Sequence, residues 1–243
     1  AKAVISNKVI SLDWPGREAL RQEKFRKQLW PIDLMQFVDA SVASKYAGIV
    51  LPIGGVVYHC GRVIDPALLT HYLAQSSSRT FNFNVVEINR DDKGFQVLSA
   101  DGRSLSFDQL VFAGGADLEA LNQLLSIKGI AVDITSGQVS HVPATNELAR
   151  LKVGLSYGGY LTPAKDGFHE LGATFDRNGR IDILDSGHQH NKDLLPDELL
   201  HLLPDFEVFG ARVSRRASTP DRNPVCGKIA DDLYAIGALG ARG

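Results

Sequence analysis

The sequence predicts an α/β fold in which two domains are each built from segments that are separated along the chain. Short apolar runs that precede glycine pairs, such as Leu110 to Ala113, are typical of strands buried in a sheet that is covered on both faces. From Gly137 to Ser218 the sequence is instead mainly extended, as in an antiparallel sheet. Because these two patterns alternate along the chain, we expect the domains to be interleaved.

Composition and charge limit the classes of function. With 44% hydrophobic residues among 243, the chain can bury a sizeable core, which argues against a largely disordered protein. Its 26 basic and 28 acidic side chains give a formal net charge of -2. This balance excludes a general attraction to nucleic acid or anionic lipid. Any contact with RNA must therefore come from a local patch.

Cysteine spacing and hydropathy indicate the compartment. Cys60 and Cys226 lie far apart and outside any CxxC or Cys/His ligand spacing, which argues against a disulfide scaffold and a zinc module. We expect both thiols to be unpaired, no metal to be bound, and the protein to work in the cytoplasm. No apolar run approaches the length of about 18 residues needed to span a bilayer, so no membrane contact is expected.

The first part of the chain predicts helices and then a β-meander. Apolar residues at helical spacing from Arg17 to Tyr46 predict two or more helices, interrupted at Pro31. Asp65 is the expected N-cap of a further helix that has Pro66 in its first turn. The meander is predicted from three apolar runs separated by turns at Gly94 and Gly102, namely residues 80–89, 95–99 and 105–113.

Further elements follow the same rules. Asp117 is expected to cap a helix that runs to Leu125. Leu233 to Ile236 is predicted as a buried strand that enters a glycine loop, Gly237 to Gly243, where backbone amides can bind a phosphate or a ring edge. Between these elements we expect one helix at 196–203 among extended segments at 138–143, 153–163, 169–175 and 208–217.

Two short motifs suggest chemistry that their context does not support. Residues from Gly154 to Gly158 match the GxSxG nucleophile elbow, but Gly159 and Pro163 argue against the helix that must follow the serine. His188 and His190 could bind a metal, yet they lie in a polar stretch with no third ligand, so a solvated loop is predicted there. Neither a hydrolase nor a metalloprotein is expected.

Glycine pairs and arginines leave alternatives open. Each of the pairs at 54–55 and 114–115 marks either a close approach of the backbone to a ligand or a turn that needs a positive φ. On a strand, Arg212 and Arg216 share one face and Arg215 lies on the other. A guanidinium in a cleft can hold a carboxylate with two hydrogen bonds. The residues alone favour solvated arginines, since exposure is usual for this residue type.

The order of elements and the closing motifs resemble the FAD-dependent oxidases of the D-amino-acid oxidase and glycine oxidase group. The motifs are an arginine on a strand, Arg216, then a Thr-Pro-Asp turn at 219–221, a Pro-x-x-Gly segment at 224–227, a buried strand and a glycine loop. The resemblance implies an FAD-binding domain interleaved with an antiparallel-sheet substrate domain. Its segments are expected at 1–53 (substrate, helical), 54–126 (FAD-binding, with the meander), 127–223 (substrate) and 224–243 (FAD-binding).

Within this group, residues 137–143, 159–163 and 171–173 are similar to the oxidoreductase half of the bifunctional tRNA 5-methylaminomethyl-2-thiouridine biosynthesis proteins. The similarity implies a flavin-dependent oxidation of the carboxymethylaminomethyl group on the tRNA wobble uridine, with tRNA and a methyltransferase domain as partners. The alternatives are an oxidase of free glycine, sarcosine or another small amino acid, and a cofactor-free binding module. Pro220 is closer to the amino-acid oxidases.

The resemblance also implies roles for individual residues. Arg216 is the implied partner of the substrate carboxylate, and Tyr160 is an implied wall of the same pocket. The other implied contacts are with FAD: Gly237, Ala238, Leu239 and Gly240 beside the isoalloxazine, Ala113, Gly114 and Gly115 near the adenosine diphosphate, and Val85 or Val86 near the adenine.

One part of the family pattern is not found in this sequence. The strand, GxGxxG loop and helix that receive the FAD pyrophosphate in the family do not precede Ala1, and the final residues stop where a helix is expected. Both ends are therefore expected to be cut. The chain is expected to hold no stoichiometric FAD and to show no oxidase activity.

Overall fold

A computed structural model describes residues 3–13, 23–125, 130–145, 147–203 and 206–240. The chain divides into two compact units. The first unit comprises Ala1–Ser76, Gly137–Thr174 and Asp182–Val213, and the second comprises Ser77–Ser136, Phe175–Ile181 and Ser214–Gly243. These boundaries differ from the expected segments, and the assignment of an FAD-binding and a substrate domain to particular segments stays a prediction.

In chain order, the described residues form β1 (Val4–Ser6), β2 (Val9–Leu12), β3 (Met35–Val38), α1 (Ala40–Ala47), β4 (Gly55–Tyr58), β5 (Val63–Ile64), α2 (Pro66–Leu73), β6 (Val85–Asp91), β7 (Gly94–Ser99), β8 (Ser104–Phe107), β9 (Leu110–Gly115), α3 (Ala120–Leu125), β10 (Asp133–Pro143), β11 (Gly154–Ser156), β12 (Tyr160–Leu161), β13 (Phe168–Gly172), α4 (Asp185–Asp193), β14 (Gly210–Ser218), β15 (Val225–Ala230) and β16 (Leu233–Gly237), with 3-10 turns at Leu148–Arg150 and Asp197–Leu202.

An eight-stranded sheet with the order β14-β10-β13-β12-β11-β2-β4-β3 organises the first unit. Its described pairings are antiparallel except for β11 with β2, which is parallel. Strands, helices and loops of this unit share one core of buried hydrophobic residues, which includes Ile10, Leu155 and Leu171. The expected extended character of 138–143, 169–175 and 208–217 is therefore confirmed in its main part, whereas 153–163 is two strands separated by a turn.

Two helices of the first unit begin at aspartate N-caps. The Asp39 carboxylate accepts a hydrogen bond from the Val42 N–H at 2.9 Å at the start of α1. Asp65 caps α2 through the Leu68 N–H at 2.9 Å, with Pro66 at the first position, as predicted. Asp65 also pairs with Lys165. This contact is the main cause of the lowered pKa of the Asp65 carboxyl, and the hydrogen bond from the Leu68 N–H is the second cause. Each carboxylate satisfies a backbone donor that the helix itself leaves open.

The prediction of helices from Arg17 to Tyr46 is wrong in part. Residues 14–22 lie outside the described part of the chain, and 23–26 form a helical turn. Met35–Val38 is a strand that pairs antiparallel with β4, because tertiary pairing overrides the helix-forming residues of this segment. Among the described residues of this region, α1 is the one helix of eight residues.

The solvated loop predicted around His188 is also wrong. These residues form α4, in which Asn191 is fully buried and donates from Nδ2 to the Gln138 carbonyl at 3.0 Å. The Gln138 side chain forms two hydrogen bonds with the Leu184 backbone: it donates to the carbonyl and accepts from the N–H, both at 2.8 Å. Among the described residues no group of three or more His, Cys, Asp or Glu could hold a metal.

The second unit contains two three-stranded sheets. The meander β6-β7-β8 is antiparallel throughout, as predicted, and turns at Gly94 and Gly102 with positive φ. The run 105–113 is divided between β8 and β9, and β9 pairs in parallel with β16 in the order β15-β16-β9. Val111 in β9 is 60% exposed, so the expectation of a fully buried strand is wrong in this structure.

Two small apolar clusters hold the second unit together. One joins Leu118 and Leu121 to the alanines of β14 and β16, and the other joins Leu233 to Ile88 and Phe95 of the meander. The helix α3 begins at Ala120, three residues after the Asp117 that was expected to cap it. Across the described residues, helices are too short or too polar to cross a membrane.

Candidate active site

The second unit carries a cleft of about 850 Å³ next to the end of β16. Ala238, Leu239 and Gly240 form part of its wall, together with the Arg216 end of β14 and the beginning of β10. Its charged lining residues are Asp133, Arg177, Arg216 and Arg222. One predicted substrate contact and three predicted cofactor contacts therefore share one cavity.

Two predicted cofactor segments meet through the parallel pairing of β9 with β16. Gly237 is the register partner of Gly115, so the carboxyl ends of both strands lie side by side. In open α/β sheets, ligands bind in the crevice outside the carboxyl ends of the strands. Ala113, Gly114 and Gly115 are all exposed at this edge.

The backbone after these strands adopts conformations that suit a close ligand. Gly115 has a φ of 60° and open space where a Cβ would lie, and Gly240 has a φ of 59°. Ala238 holds a φ of 53°, which is unusual for a residue with a side chain. The Gly240 N–H donates to the Ala217 carbonyl at 2.9 Å, which fixes the segment against β14. This open, glycine-bearing edge fits the flat ring or the phosphates of FAD. Residues 241–243 of the predicted loop lie outside the described part of the chain.

The arginines of β14 differ in their partners. Arg215 donates from Nη2 to the Asp117 carboxylate at 2.7 Å and does not line the cleft. Arg216 is half-buried in the cleft wall and has no hydrogen-bond or ion-pair partner within the described ranges. Arg212 lies in the first unit, where its Nη2 is 3.8 Å from the Glu170 carboxylate. The free guanidinium of Arg216 can therefore accept an anionic ligand.

Tyr160 belongs to the first unit, where it pairs with Gly172 across β12 and β13. Its ring packs directly over this glycine, since a Cβ on Gly172 would lie 2.0 Å from the Tyr160 Cζ. The neighbouring Tyr157 is buried, which raises the pKa of its hydroxyl. That Tyr160 borders the same pocket as Arg216 stays a prediction.

Val85 and Val86 begin the first strand of the meander and are 37% and 53% exposed. Neither lines the cleft, and their proposed place near the adenine stays a prediction. The Gly154 to Gly158 motif forms a strand and a turn with no helix after Ser156, as the sequence context indicates. Cys60 and Cys226 are free and exposed thiols.

Sequence reasoning missed three of the charged groups in the cleft, Asp133, Arg177 and Arg222. Both arginines stand in the tripeptide Asp-Arg-Asn, at 176–178 and 221–223. This repetition is visible in the sequence, but nothing in the sequence alone brings the two copies to one cavity. The neighbouring Thr219 hydroxyl and then the hydrogen bonds from Asn223 lower the pKa of Asp221 to about 2, so this carboxylate is ionised.

Comparisons with known proteins agree with this geometry. The family described as FAD dependent oxidoreductase (DAO) matches residues 6–243. A relative from Aeromonas hydrophila, the tRNA 5-methylaminomethyl-2-thiouridine biosynthesis bifunctional protein MnmC, is 31% identical over 271 residues, which cover 97% of this chain and 40% of the relative. The protein of the same name from Shewanella oneidensis is 32% identical over 244 residues, covering 92% and 34%. The chain thus spans less than half the length of these relatives.

Among solved structures, glycine oxidase from Geobacillus kaustophilus superposes with a TM-score of 0.77 over 99% of this chain and 67% of that chain. At 19% identity this similarity speaks for the fold alone. It confirms the predicted α/β fold of the glycine oxidase type. Since the family match extends over almost every residue of the sequence, the chain belongs to the FAD-dependent oxidoreductase family, as its motifs indicated.

Proposed function

We propose that the protein oxidises the carbon–nitrogen bond of a carboxymethylaminomethyl group on the wobble uridine of tRNA, with FAD as its cofactor. The observation that carries this proposal is the unpaired Arg216 guanidinium, which shares a cleft with the backbone segment from Ala238 to Gly240. The names of the relatives, which place them in the biosynthesis of tRNA 5-methylaminomethyl-2-thiouridine, support a tRNA substrate. They are also named bifunctional, and we propose a methyltransferase domain as the partner of this activity.

The reaction balances as the loss of two electrons and two protons. The secondary amine R–NH–CH2–COO⁻ becomes the imine R–N=CH–COO⁻, and one water then hydrolyses the imine to the primary amine and glyoxylate. When bound, FAD would accept the two electrons of this step. The primary amine that remains is a substrate for methylation.

In this scheme Arg216 orients the substrate. Two parallel hydrogen bonds from its guanidinium to the carboxylate would fix the methylene carbon between the amine and the anchor. Ala217 holds Gly240 through a backbone hydrogen bond, so the cofactor segment and the substrate anchor are attached to the same strand. This common support would hold the bound substrate and the cofactor segment in fixed positions relative to each other.

The test is the substitution Arg216→Lys in the FAD-loaded full-length protein, with Arg215→Lys as the matched control. An ammonium cannot reproduce the planar two-bond fork, and we expect a loss of about 2 kcal/mol, or roughly thirtyfold in kcat/KM for carboxymethylaminomethyl-uridine tRNA. Arg215 contacts Asp117 outside the cleft, so its conservative replacement should change kcat/KM less than about twofold. Equal activity of both variants would refute the carboxylate anchor.

Free glycine and sarcosine are the competing substrates, because the same anchor suits any small amino acid. Flavin reduction measured under anaerobic conditions with tRNA, glycine and sarcosine separates the alternatives. Faster reduction by a free amino acid than by tRNA would replace the tRNA assignment with an amino-acid oxidase. No reduction by any of them would favour a binding module.

A further inference from the structure

The cleft carries two copies of one local structure. In Asp176-Arg177-Asn178 and in Asp221-Arg222-Asn223, the aspartate Oδ1 accepts a hydrogen bond from the asparagine N–H two residues later, at 2.7 and 3.1 Å. The arginine at the centre of each turn lines the cleft. Each aspartate is thus engaged by its own turn, and it does not form an ion pair with the neighbouring arginine.

Both arginines lack side-chain partners in the part of the chain that the structure describes. Within the described ranges, neither the Arg177 nor the Arg222 side chain forms a hydrogen bond or an ion pair, unlike Arg103 with Asp101 or Arg215 with Asp117. A guanidinium has five donors and stays charged at any physiological pH. Two such groups beside Arg216 create a concentrated site for anions.

Hydrogen bonds hold both turns in place, so the two arginines are presented by a preorganised backbone. Asp176 exchanges two backbone hydrogen bonds with Ser136, at 2.8 and 2.9 Å. The Arg222 N–H donates to the Thr219 carbonyl at 2.9 Å, and the Thr219 hydroxyl donates to the Asn223 carbonyl at 2.6 Å. Arg222 is held at a φ of 63°, a conformation that costs free energy for a residue with a side chain.

The charge in the cleft exceeds what one carboxylate requires. Three arginines and one aspartate line it, which gives a local charge of +2 in a chain whose formal charge is -2. Arg216 alone supplies the two-bond anchor for a carboxylate. The other two arginines are therefore available for further anionic groups of the same ligand.

We propose that Arg177 and Arg222 bind backbone phosphates of tRNA nucleotides that adjoin the oxidised residue. This inference rests on the proposed function, because it assigns to the same cleft a substrate that bears phosphates beside its carboxylate. A free amino acid has one carboxylate and no further anionic group, so it leaves these arginines unused. Phosphodiester groups match both the charge and the forked geometry of a guanidinium.

The experiment compares Arg177→Gln and Arg222→Asn with Arg180→Gln, a control that removes one charge near Arg177 without lining the cleft. Asn is chosen at position 222 because it tolerates a positive φ. Two substrates are used, namely carboxymethylaminomethyl-uridine tRNA and the isolated nucleoside, which has no phosphate. Binding of labelled tRNA is also measured by fluorescence anisotropy between about 50 and 200 mM salt, and bound FAD is quantified by absorbance.

Each cleft variant should raise KM for tRNA by about fivefold with kcat unchanged. It should lower the slope of log Kd against log salt by about 0.7, the value for one phosphate contact on a single strand. Nucleoside turnover, FAD content and all values for Arg180→Gln should match the parent.

Three results would overturn the proposal. Unchanged tRNA binding would show no phosphate contact, equal losses on tRNA and nucleoside would place the arginines at the reacting group, and loss of FAD would assign them to the cofactor. If the parent oxidises neither substrate, the proposed function fails. The anisotropy arm still decides whether the two arginines contact tRNA.

Discussion

His169 is fully buried in the first unit with one ring nitrogen left unsatisfied. Its Nδ1 donates to the Thr162 carbonyl at 2.8 Å, whereas Nε2 has no hydrogen-bond partner among the described residues. Burial lowers the pKa of this imidazole, and the hydrogen bond to Thr162 only partly opposes that effect. Protonation would place a charge and an unpaired N–H inside the core, so the folded protein holds His169 neutral.

We therefore expect His169 to make the free energy of unfolding depend on pH. Its folded pKa lies below the unfolded value of about 6.5, so the stabilisation is complete above that pH and is lost as pH falls below it. There the unfolded chain takes up a proton that the folded chain does not, with a limiting slope of about 1.4 kcal/mol per pH unit.

Urea unfolding between about pH 5 and 8 measures this slope in the parent and in His169→Gln. Glutamine can still donate to Thr162 but does not titrate, so the variant should show a shallower slope of the free energy of unfolding below about pH 6.5. The variant should also be less stable than the parent at the upper end of this range. The other histidines contribute equally to both proteins. Equal slopes in the two proteins would mean that His169 titrates normally.

At single positions, the sequence showed that a residue was structurally or functionally important more often than it showed the physical reason. The pair at 54–55 was open between ligand contact and positive φ, and the structure shows a third cause. A Cβ on Gly55 would lie 2.1 Å from the Ser11 carbonyl oxygen, so neighbouring strands need this glycine. Arg216 was found through a resemblance, since periodicity alone cannot distinguish a cleft-facing arginine from a solvated one.

Among the elements, helices with strong end signals were predictable and those held by tertiary contacts were not. The Asp-Pro start of α2 is a local signal, and the structure confirms it. By contrast, α4 has no apolar stripe. It is stabilised by hydrogen bonds of the buried Asn191 and of the Gln138 side chain. Strand β3 likewise depends on β4, which lies further along the chain beyond α1.

Helix α1 provides a test of an element whose start was not predicted. Asp39 is its N-cap, and its carboxylate contacts the Val42 N–H at 2.9 Å. Asp39→Ala should lower the free energy of unfolding by about 1 kcal/mol, because it leaves that donor open. Asp39→Asn, which keeps a capping oxygen, should lose a few tenths at most. Chemical denaturation measures both values, and equal losses would show that the cap oxygen is not what stabilises α1.

For the whole molecule, the sequence predicted interleaved segments but not their boundaries. The change from helical to extended patterns is visible in the sequence, and the two compact units do alternate along the chain. Their limits fall inside continuous strands, since β10 and β14 each contribute residues to both units. No composition change marks such a limit, because a strand that continues from one unit into another keeps a single pattern.

The two units also differ in how much apolar surface they bury, and this difference predicts their relative resistance to local opening. Among the described residues, the principal core of the first unit has 19 buried members, whereas the two clusters of the second unit have five and four. In the central strands β2 and β4 nearly all residues are buried, but in the meander β6 buries only Ile88 and β8 buries none. Hydrogen exchange in native proteins is slowest where opening exposes the most apolar surface.

We expect amides of β2 and β4 to exchange about tenfold or more slowly than those of β6 and β8, when the protein is studied by hydrogen–deuterium exchange and mass spectrometry. Strands β2 and β4 are paired on both sides, whereas β6 and β8 are edge strands, so only amides that donate in the pairing of strands are compared; the difference between them then tests apolar burial. Within the meander, β7 is an internal control because Phe95 and Val97 are buried, and it should exchange at an intermediate rate. If β6 and β8 were protected as strongly as β4, then a contact outside those described would have to cover the meander, and the ranking of the two cores by burial would be wrong.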